Sequence, residues 1–244
     1  MKTTTDKFLD GRIAAKQPIN GYRAATDPVL LAASVDISLG RRVLDVGCGV
    51  GVASLCLAAR LPDVEISGLE IQDLYARLAS QNASANNVNL AVHHGDLNAL
   101  PIALKDQVFD QVITNPPFHR NKSVSQNAGK ALADHETLGL SKWIALSLRR
   151  VRPHGYFTII HMAEVLPDIL QALDNCGDIR ILPFAPRRGQ MANRVLVRAR
   201  KLSKTPARLL PPFIMHRGKA HDVDGDSYTK QAKKILRDAA PLQI

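Results

Sequence analysis

The sequence predicts an α/β domain: a mostly parallel sheet with an antiparallel last strand and helices on both faces. Three observations carry that expectation. Between residues 42 and 200, short apolar runs alternate with longer stretches of helical periodicity, the rhythm of successive βα units. Glycines crowd one strand-to-helix junction, at Gly47, Gly49 and Gly51, the kind of place where open α/β sheets bind ligands. The last two apolar runs, 179–184 and 194–199, read as a closing antiparallel pair. The 244 residues are 45% hydrophobic and 22% charged, which provides ample material for a core and excludes global disorder.

The elements follow in chain order. Residues 1–40 lie outside the alternation and are expected to form an N-terminal lid. Within them Asp27-Pro28 opens a helical run over Val29 to Ala33, with Asp27 as N-cap and Pro28 at the first helical position. Residues 43–46 form a buried strand, and Val52, Leu55, Cys56 and Ala59 share one face of the following helix, which Pro62 closes. A second strand spans 64–69, a second helix 73–85 and a third strand 90–93. The fourth strand, 108–114, is stopped by Pro116-Pro117. Residues 137–150 are helical with a wide apolar face, and Pro153-His154-Gly155 turns the chain into a strand over 156–161. A helix over 166–173 and the antiparallel pair complete a domain spanning 41–200. Residues 201–244 form a basic extension packed on it, with an acidic turn at Asp222, Asp224 and Asp226 ahead of a helix over 228–237.

Charge narrows the function. Lys and Arg number 32 against 22 Asp and Glu, a net charge of +10, and the excess is local: residues 179–221 contain eleven Lys or Arg and no acid. Such a segment reads either as an electrostatic footprint for phosphates or as a solvated basic face. Arg187, Arg188 and Arg194 stand within it as candidate RNA contacts. No run reaches the roughly eighteen apolar residues of a membrane span. The first thirty residues carry five Lys or Arg and no apolar core, so a cytoplasmic protein with no membrane partner is expected. Cys48, Cys56 and Cys176 form no C-x-x-C pair, and His93-His94 has no ligand partner at metal spacing, so neither a disulfide framework nor a metal site is expected.

The chemistry gathers at the ends of successive strands. Asp45-Val46-Gly47-Cys48-Gly49-Val50-Gly51 occupies the first strand-to-helix junction. Alternate glycines allow a tight turn and a close approach of backbone to ligand, while Asp45 can take a cationic amine or a hydroxyl. Glu70 ends the second strand, placed for both hydroxyls of a ribose, and Asp96 follows the third, placed for an adenine amino group. Together they point to a nucleoside-type cofactor. The G-x-G-x-G spacing differs from that of dinucleotide sites, and a buried carboxylate suits a sulfonium or amino group better than a diphosphate. S-adenosylmethionine is therefore favoured over NAD.

Asn115-Pro116-Pro117-Phe118 stands at the end of the fourth strand. Two prolines fix the backbone and leave the Pro116 carbonyl as an unencumbered acceptor, so that this carbonyl and the Asn115 side-chain oxygen can hold one planar NH₂ group. An amino group held this way loses conjugation with its ring, and its lone pair can attack an electrophilic methyl in line. Phe118 offers a face for stacking a flipped base. Neither a strong base nor a metal is needed, so activity is expected to vary little from mild to alkaline pH.

In this order the motifs resemble those of class I S-adenosylmethionine-dependent methyltransferases that modify planar NH₂ groups. With the segment from Gln17 to Leu31, Asn193-Arg194-Val195-Leu196-Val197 and the tail from His216 to Thr229, the chain resembles the bacterial valine-tRNA adenine-N6 methyltransferase family. That resemblance implies a Rossmann-like class I methyltransferase fold, S-adenosylmethionine as cofactor, and tRNA or another structured RNA as partner. The reaction it implies is N6-methylation of an adenine in the anticodon loop of a valine tRNA. It also implies Asp45, Gly47, Gly49 and Gly51 against the methionine part of the cofactor, Glu70 on the ribose and Asp96 at the adenine. Asn115, Pro116 and Phe118 would meet the target amine, and Thr26 with Asp27 would close over the cofactor. Phe118 stands where that family more often has Tyr, and Phe118-His119 is the pair seen in ribosomal-RNA guanine-N2 methyltransferases, so both bases remain open. A glutamine amide of a protein partner is a third acceptor for the same chemistry. A non-catalytic RNA-binding protein is the reading from another class.

Overall fold

The computed structural model describes residues 2–117, 138–218 and 227–244. It opens with a hairpin that the patterning did not reveal: β1 (Thr3–Phe8) pairs antiparallel with β2 (Ile13–Pro18). The outer edge of β2 is covered by helix side chains rather than by another strand. Asn82 of α3 (Asp73–Ala85) and Asn86, which caps its C-terminus, accept from the Lys16 and Ala14 amides at 2.8 and 2.9 Å and donate back to the same residues' carbonyls. Two asparagines four residues apart on one helix face thus satisfy an exposed strand edge.

A larger sheet follows, formed by β3 (Arg42–Val46), β4 (Glu65–Glu70), β5 (Leu90–His94), β6 (Phe109–Thr114), β7 (Val151–Met162), β8 (Cys176–Ala185) and β9 (Arg194–Lys201). Two short tail strands, β10 (Arg208–Leu209) and β11 (Phe213–Ile214), pair onto β8. The order is β10-β8-β9-β7-β6-β3-β4-β5. Strand β9 runs antiparallel to both neighbours and the other pairs are parallel, as the sequence predicts. Side chains alternate between two core layers: Val43, Ile113 and Ile160 enter one, and Leu44, Val112 and Ile159 the other. The first layer is closed by α1 (Thr26–Ser34), α2 (Val52–Arg60), α3 and the C-terminal α7 (Lys230–Asp238). The second is closed by α4 (Ile102–Lys105), α5 (Leu140–Arg150) and α6 (Leu166–Gln171).

Two local expectations are corrected. Asp27 does not cap α1, which begins at Thr26 behind Ala25 with no side-chain cap; its carboxylate pairs instead with Arg194 at 2.9 Å. Pro153-His154-Gly155 is not a turn between elements but lies inside β7, with a register shift against β6 and His154 at φ +59°. The pairing steps from Phe109–Val151 to Gln111–Tyr156, so three more residues of β7 than of β6 fall in that interval.

The basic segment also takes on a different meaning. Helix C-termini leave carbonyls without intrahelical partners, and basic side chains supply donors for them. Arg60 and Arg198 donate to carbonyls at the end of α1, at Ala32, Val35 and Ser34, while Lys201 Nζ donates to Leu148 and Val151 at the end of α5 at 2.8 and 2.7 Å. Burial, with the neighbouring Arg180 charge, lowers the Arg198 pKa to about 10. Arg180 bridges Asp178 and the Ile244 carbonyl. Much of the acid-free segment is therefore internal, whereas Arg188, Lys204, Arg208 and Arg217 remain exposed.

Candidate active site

Strand β3 pairs with β4 on one side and β6 on the other, so the carboxyl ends of consecutive motif-bearing strands meet where the strand order reverses. The β3–α2 loop turns through Gly47, Gly49 and Gly51 at φ +70°, +56° and +88°, a region other residues reach only with strain. Gly47 has a second constraint: a Cβ there would stand 3.0 Å from the Trp143 ring, whereas one at Gly49 would meet nothing within 4 Å. Gly47 and Cys48 both donate their amides to the Leu69 carbonyl, at 2.8 and 3.1 Å, which ties the loop to β4.

The acids are held in place by donors from this loop and its neighbours. Asp45 is 2% exposed and accepts from Ser54 Oγ at 2.7 Å. Burial pushes its pKa up to about 7, with the Glu70 charge adding to the rise and the Ser54 hydrogen bond opposing it. Glu70 accepts from the Gly49 amide at 2.9 Å through one oxygen and from the Gln72 amide at 2.8 Å through the other. Asp96 accepts from the Asn98 amide at 2.8 Å. It lines a cavity of about 390 Å³ together with Gly47, Leu69, Gly95, Leu97, Lys142 and Trp143.

A second, smaller cavity of about 30 Å³ brings Asp45 and Gly47 together with Asn115, Tyr22 and Pro28. Gly47 lines both, so the loop joins the Asp96 end to the Asn115 end. Asn115 Nδ2 donates to Tyr22 Oη at 2.9 Å, while Asn115 Oδ1 is buried and has no hydrogen-bond partner among the described residues. Beneath it, Thr114 Oγ1 donates to the Val46 carbonyl at 2.8 Å and accepts from Trp143 Nε1 at 3.0 Å.

The other expected site residues divide. Pro116 is buried beside Asn115, and Phe118 and His119 lie outside the described residues, as does the acidic turn at 222–226. Of the segment expected to close over the cofactor, Pro28 reaches the Asn115 cavity, whereas Thr26 and Asp27 line a separate cavity with Phe184, Arg194, Met215 and His216. Arg187 is 6% exposed and donates to the Arg217 and Gly218 carbonyls, Arg194 is paired with Asp27, and Arg188 is exposed. Sequence reasoning did not single out Tyr22, Ser54, Lys142 or Trp143 for the site. A hydroxyl in the first turn after the glycine loop was the one available signal, for Ser54. Among the described residues no three His, Cys, Asp or Glu converge on a metal position, and no helix is long and apolar enough to cross a membrane.

The donor set suits a cofactor with a cationic end, a ribose and an adenine. A buried carboxylate on β3, a carboxylate on β4 pinned by two amides, and a glycine loop in which a Cβ at Gly47 would meet Trp143 stand at the ends of neighbouring strands. Comparison with known proteins agrees. Residues 25–163 match the model of the methyltransferase small domain. The tRNA1(Val) (adenine(37)-N6)-methyltransferase of Porphyromonas gingivalis is 31% identical over 174 residues, 68% of each chain. That of Aeromonas hydrophila is 30% identical over 185 residues, 72% of this chain and 75% of the relative. A crystal structure of a predicted O-methyltransferase from Agrobacterium tumefaciens superimposes with a TM-score of 0.72 at 25% identity, covering 89% of this chain and 99% of the other. The Thermus thermophilus 16S rRNA N2 G1207 methyltransferase shares the fold, with a TM-score of 0.56 at 20% identity over 82% of this chain and 50% of the other. The chain belongs to the methyltransferase small-domain family and is an S-adenosylmethionine-dependent methyltransferase of class I fold.

Proposed function

We propose that this methyltransferase acts on the N6 amino group of an adenine in tRNA, with adenine 37 of a valine tRNA as the target that its relatives' names specify. A tRNA substrate puts its place of work in the cytoplasm. The observation that carries an amine acceptor is Asn115 Oδ1, a buried acceptor atom with no hydrogen-bond partner among the described residues, on a residue that lines the Asp45 cavity. A buried carbonyl oxygen left unsatisfied is costly, and an incoming N–H group relieves that cost.

On this reading Asp45 takes the cationic amine of the cofactor, Glu70 its ribose hydroxyls and Asp96 its adenine amino group, while Gly47, Gly49 and Gly51 let the backbone come close. When bound, S-adenosylmethionine supplies an electrophilic methyl on a positively charged sulfur. Asn115 Oδ1 and the Pro116 carbonyl accept the two hydrogens of the target NH₂. Held between two acceptors, the amine is drawn out of conjugation with its ring and its lone pair is directed along the line of attack. Neither acceptor is basic enough to take a proton from the resting amine. The surplus proton leaves to water once the nitrogen is alkylated. Phe118, following the two prolines, is proposed to stack on the flipped base, and Arg188 with the exposed Lys204, Arg208 and Arg217 to follow the RNA backbone.

The test is transfer of labelled methyl to unmodified total tRNA, with digestion to nucleosides and mass spectrometry. N6-methyladenosine supports the proposal. Methylguanosine, or label only in ribosomal RNA or protein, keeps the Asn115 chemistry and overturns the substrate. Asn115→Ala is expected to abolish transfer while cofactor binding survives, and full activity in that variant refutes the mechanism.

A further inference from the structure

An asparagine is useful as an amine acceptor only if its oxygen, and not its NH₂, faces the site. The two ends of a carboxamide are nearly isosteric, so shape does not choose between them; a hydrogen-bond partner must. The partner of Asn115 is 93 residues away in sequence. Tyr22 Oη lies 2.9 Å from Asn115 Nδ2, and Asn115 Oδ1 on the other side is buried and without a partner among the described residues.

The surroundings of the Tyr22 hydroxyl decide which way it acts. Burial raises its pKa above the ordinary tyrosine value, and the charges of Asp27 and then Asp45 raise it further, while the Asn115 hydrogen bond opposes them. The phenol therefore keeps its proton. A protonated hydroxyl keeps a lone pair, and at 2.9 Å that lone pair accepts the N–H of Asn115 Nδ2. If the carboxamide were turned over, its oxygen would face that lone pair and its NH₂ would face the incoming amine, donor against donor.

The segment that carries Tyr22 is itself tied down. Gln17 accepts from the Ala24 amide at 2.7 Å and donates to its carbonyl, Arg23 donates to the Pro18 carbonyl at 2.8 Å and pairs with Asp6, and Tyr75 Oη donates to the Tyr22 carbonyl at 3.5 Å. Gly21, at φ +108°, permits the last contact, since a Cβ there would stand 2.6 Å from Tyr75 Oη. Although its hydroxyl meets Asn115, Tyr22 as a whole is 45% exposed, and it lines the cavity it shares with Asn115.

We propose that Tyr22 is a positioning residue for methyl transfer: its hydroxyl locks the Asn115 carboxamide with the oxygen toward the acceptor amine, and its exposed ring forms one wall of the acceptor entrance. The inference rests on the amine-acceptor reading of Asn115. The two roles separate by substitution. Tyr22→Phe removes the lock and keeps the wall, so kcat falls about tenfold, the worth of one hydrogen bond in a low-dielectric site, with KM for tRNA unchanged. Tyr22→Ala removes both, so KM for tRNA rises as well.

The experiment measures kcat and KM for tRNA in the wild type, Tyr22→Phe, Tyr22→Ala, Asn115→Ser and the double variant Tyr22→Phe/Asn115→Ser, with cofactor affinity by calorimetry. In the Asn115→Ser background there is no carboxamide to orient, so adding Tyr22→Phe is expected to cost less than twofold; this non-additivity is a readout that a purely structural role does not produce. An unchanged kcat in Tyr22→Phe overturns the lock, and so does a full tenfold further loss in the double variant. An unchanged KM in Tyr22→Ala overturns the wall. A wild type that methylates no nucleoside in tRNA sinks the substrate reading itself, a result distinct from an active wild type that is indifferent to Tyr22.

Discussion

Ser54 Oγ donates to Asp45 Oδ2 at 2.7 Å, joining the last turn of strand β3 to the first turn of helix α2 beneath the glycine loop. The carboxyl it holds is 2% exposed, and this single side-chain donor opposes the burial that lifts its pKa to about 7. On the proposed role of Asp45, the ammonium group of the cofactor would complete what Ser54 begins, because an opposite charge at hydrogen-bond distance favours the ionised form.

Cofactor binding is therefore expected to depend on pH even though the transfer step uses no titrating side chain. Below about 7 Asp45 is mostly protonated, and affinity for S-adenosylmethionine rises by up to about tenfold per pH unit before levelling above neutrality. Calorimetry from pH 5.5 to 8.5 checks this, and Ser54→Ala moves the midpoint upward. The stability of the free protein runs the other way. Between the ordinary carboxylate value of 3.8 and the folded value of about 7 the native state holds the extra proton, so stability falls as pH rises through that window. Asp45→Asn removes that slope from the melting temperature.

The three loop glycines are not equivalent. Gly47→Ala suffers both a positive φ and a Cβ 3.0 Å from Trp143, whereas Gly49→Ala suffers the φ alone. A non-glycine residue in this region costs about 1–3 kcal/mol. Gly47→Ala is expected to lose cofactor affinity by more than tenfold and Gly49→Ala by distinctly less. Equal losses in the two variants show that ring contact with Trp143 has no part in shaping the cradle.

Asp27 and Arg194 form an ion pair across 167 residues, with side chains only 16% and 29% exposed. Holding the start of α1 to β9, this pair is worth more than a surface pair, and a double-mutant cycle of Asp27→Asn with Arg194→Met is expected to give a coupling of about 1 kcal/mol in denaturant unfolding. Strict additivity shows the pair to be stabilising neither element.

The basic residues separate into two groups by their effect on RNA binding. Replacing exposed Arg188 is expected to flatten the slope of log K against log salt by about 0.7, the value per phosphate contact for a single strand. Arg187→Met, at a site 6% exposed and bonded to two carbonyls, lowers the melting temperature and leaves the slope alone. A reduced slope in Arg187→Met with unchanged stability reverses that assignment.

Much of the frame is legible without coordinates because short-range sterics and alternation set it. Gly47, Gly49 and Gly51 allow the tight turn that forms there, Pro116-Pro117 stops a strand, and the helix read over 73–85 needed only its own apolar face and flanks. Those features also put Asp45, Glu70, Asp96 and Asn115 at strand ends, which is enough to infer a nucleoside-type cofactor and an amine acceptor. The hairpin escaped because β2 is satisfied by Asn82 and Asn86, whose carboxamides carry no strand periodicity. The basic segment could not be divided from sequence because a run of arginines looks the same whether its partners are phosphates or the carbonyls at helix ends, and only the fold brings Ser34 and Leu148 within reach of Arg198 and Lys201. The orientation of Asn115 belongs to the same class. By itself the sequence determined which group could accept an amine; tertiary structure decided which way it faces, because a carboxamide takes its direction from a partner, and Tyr22 arrives from 93 residues away.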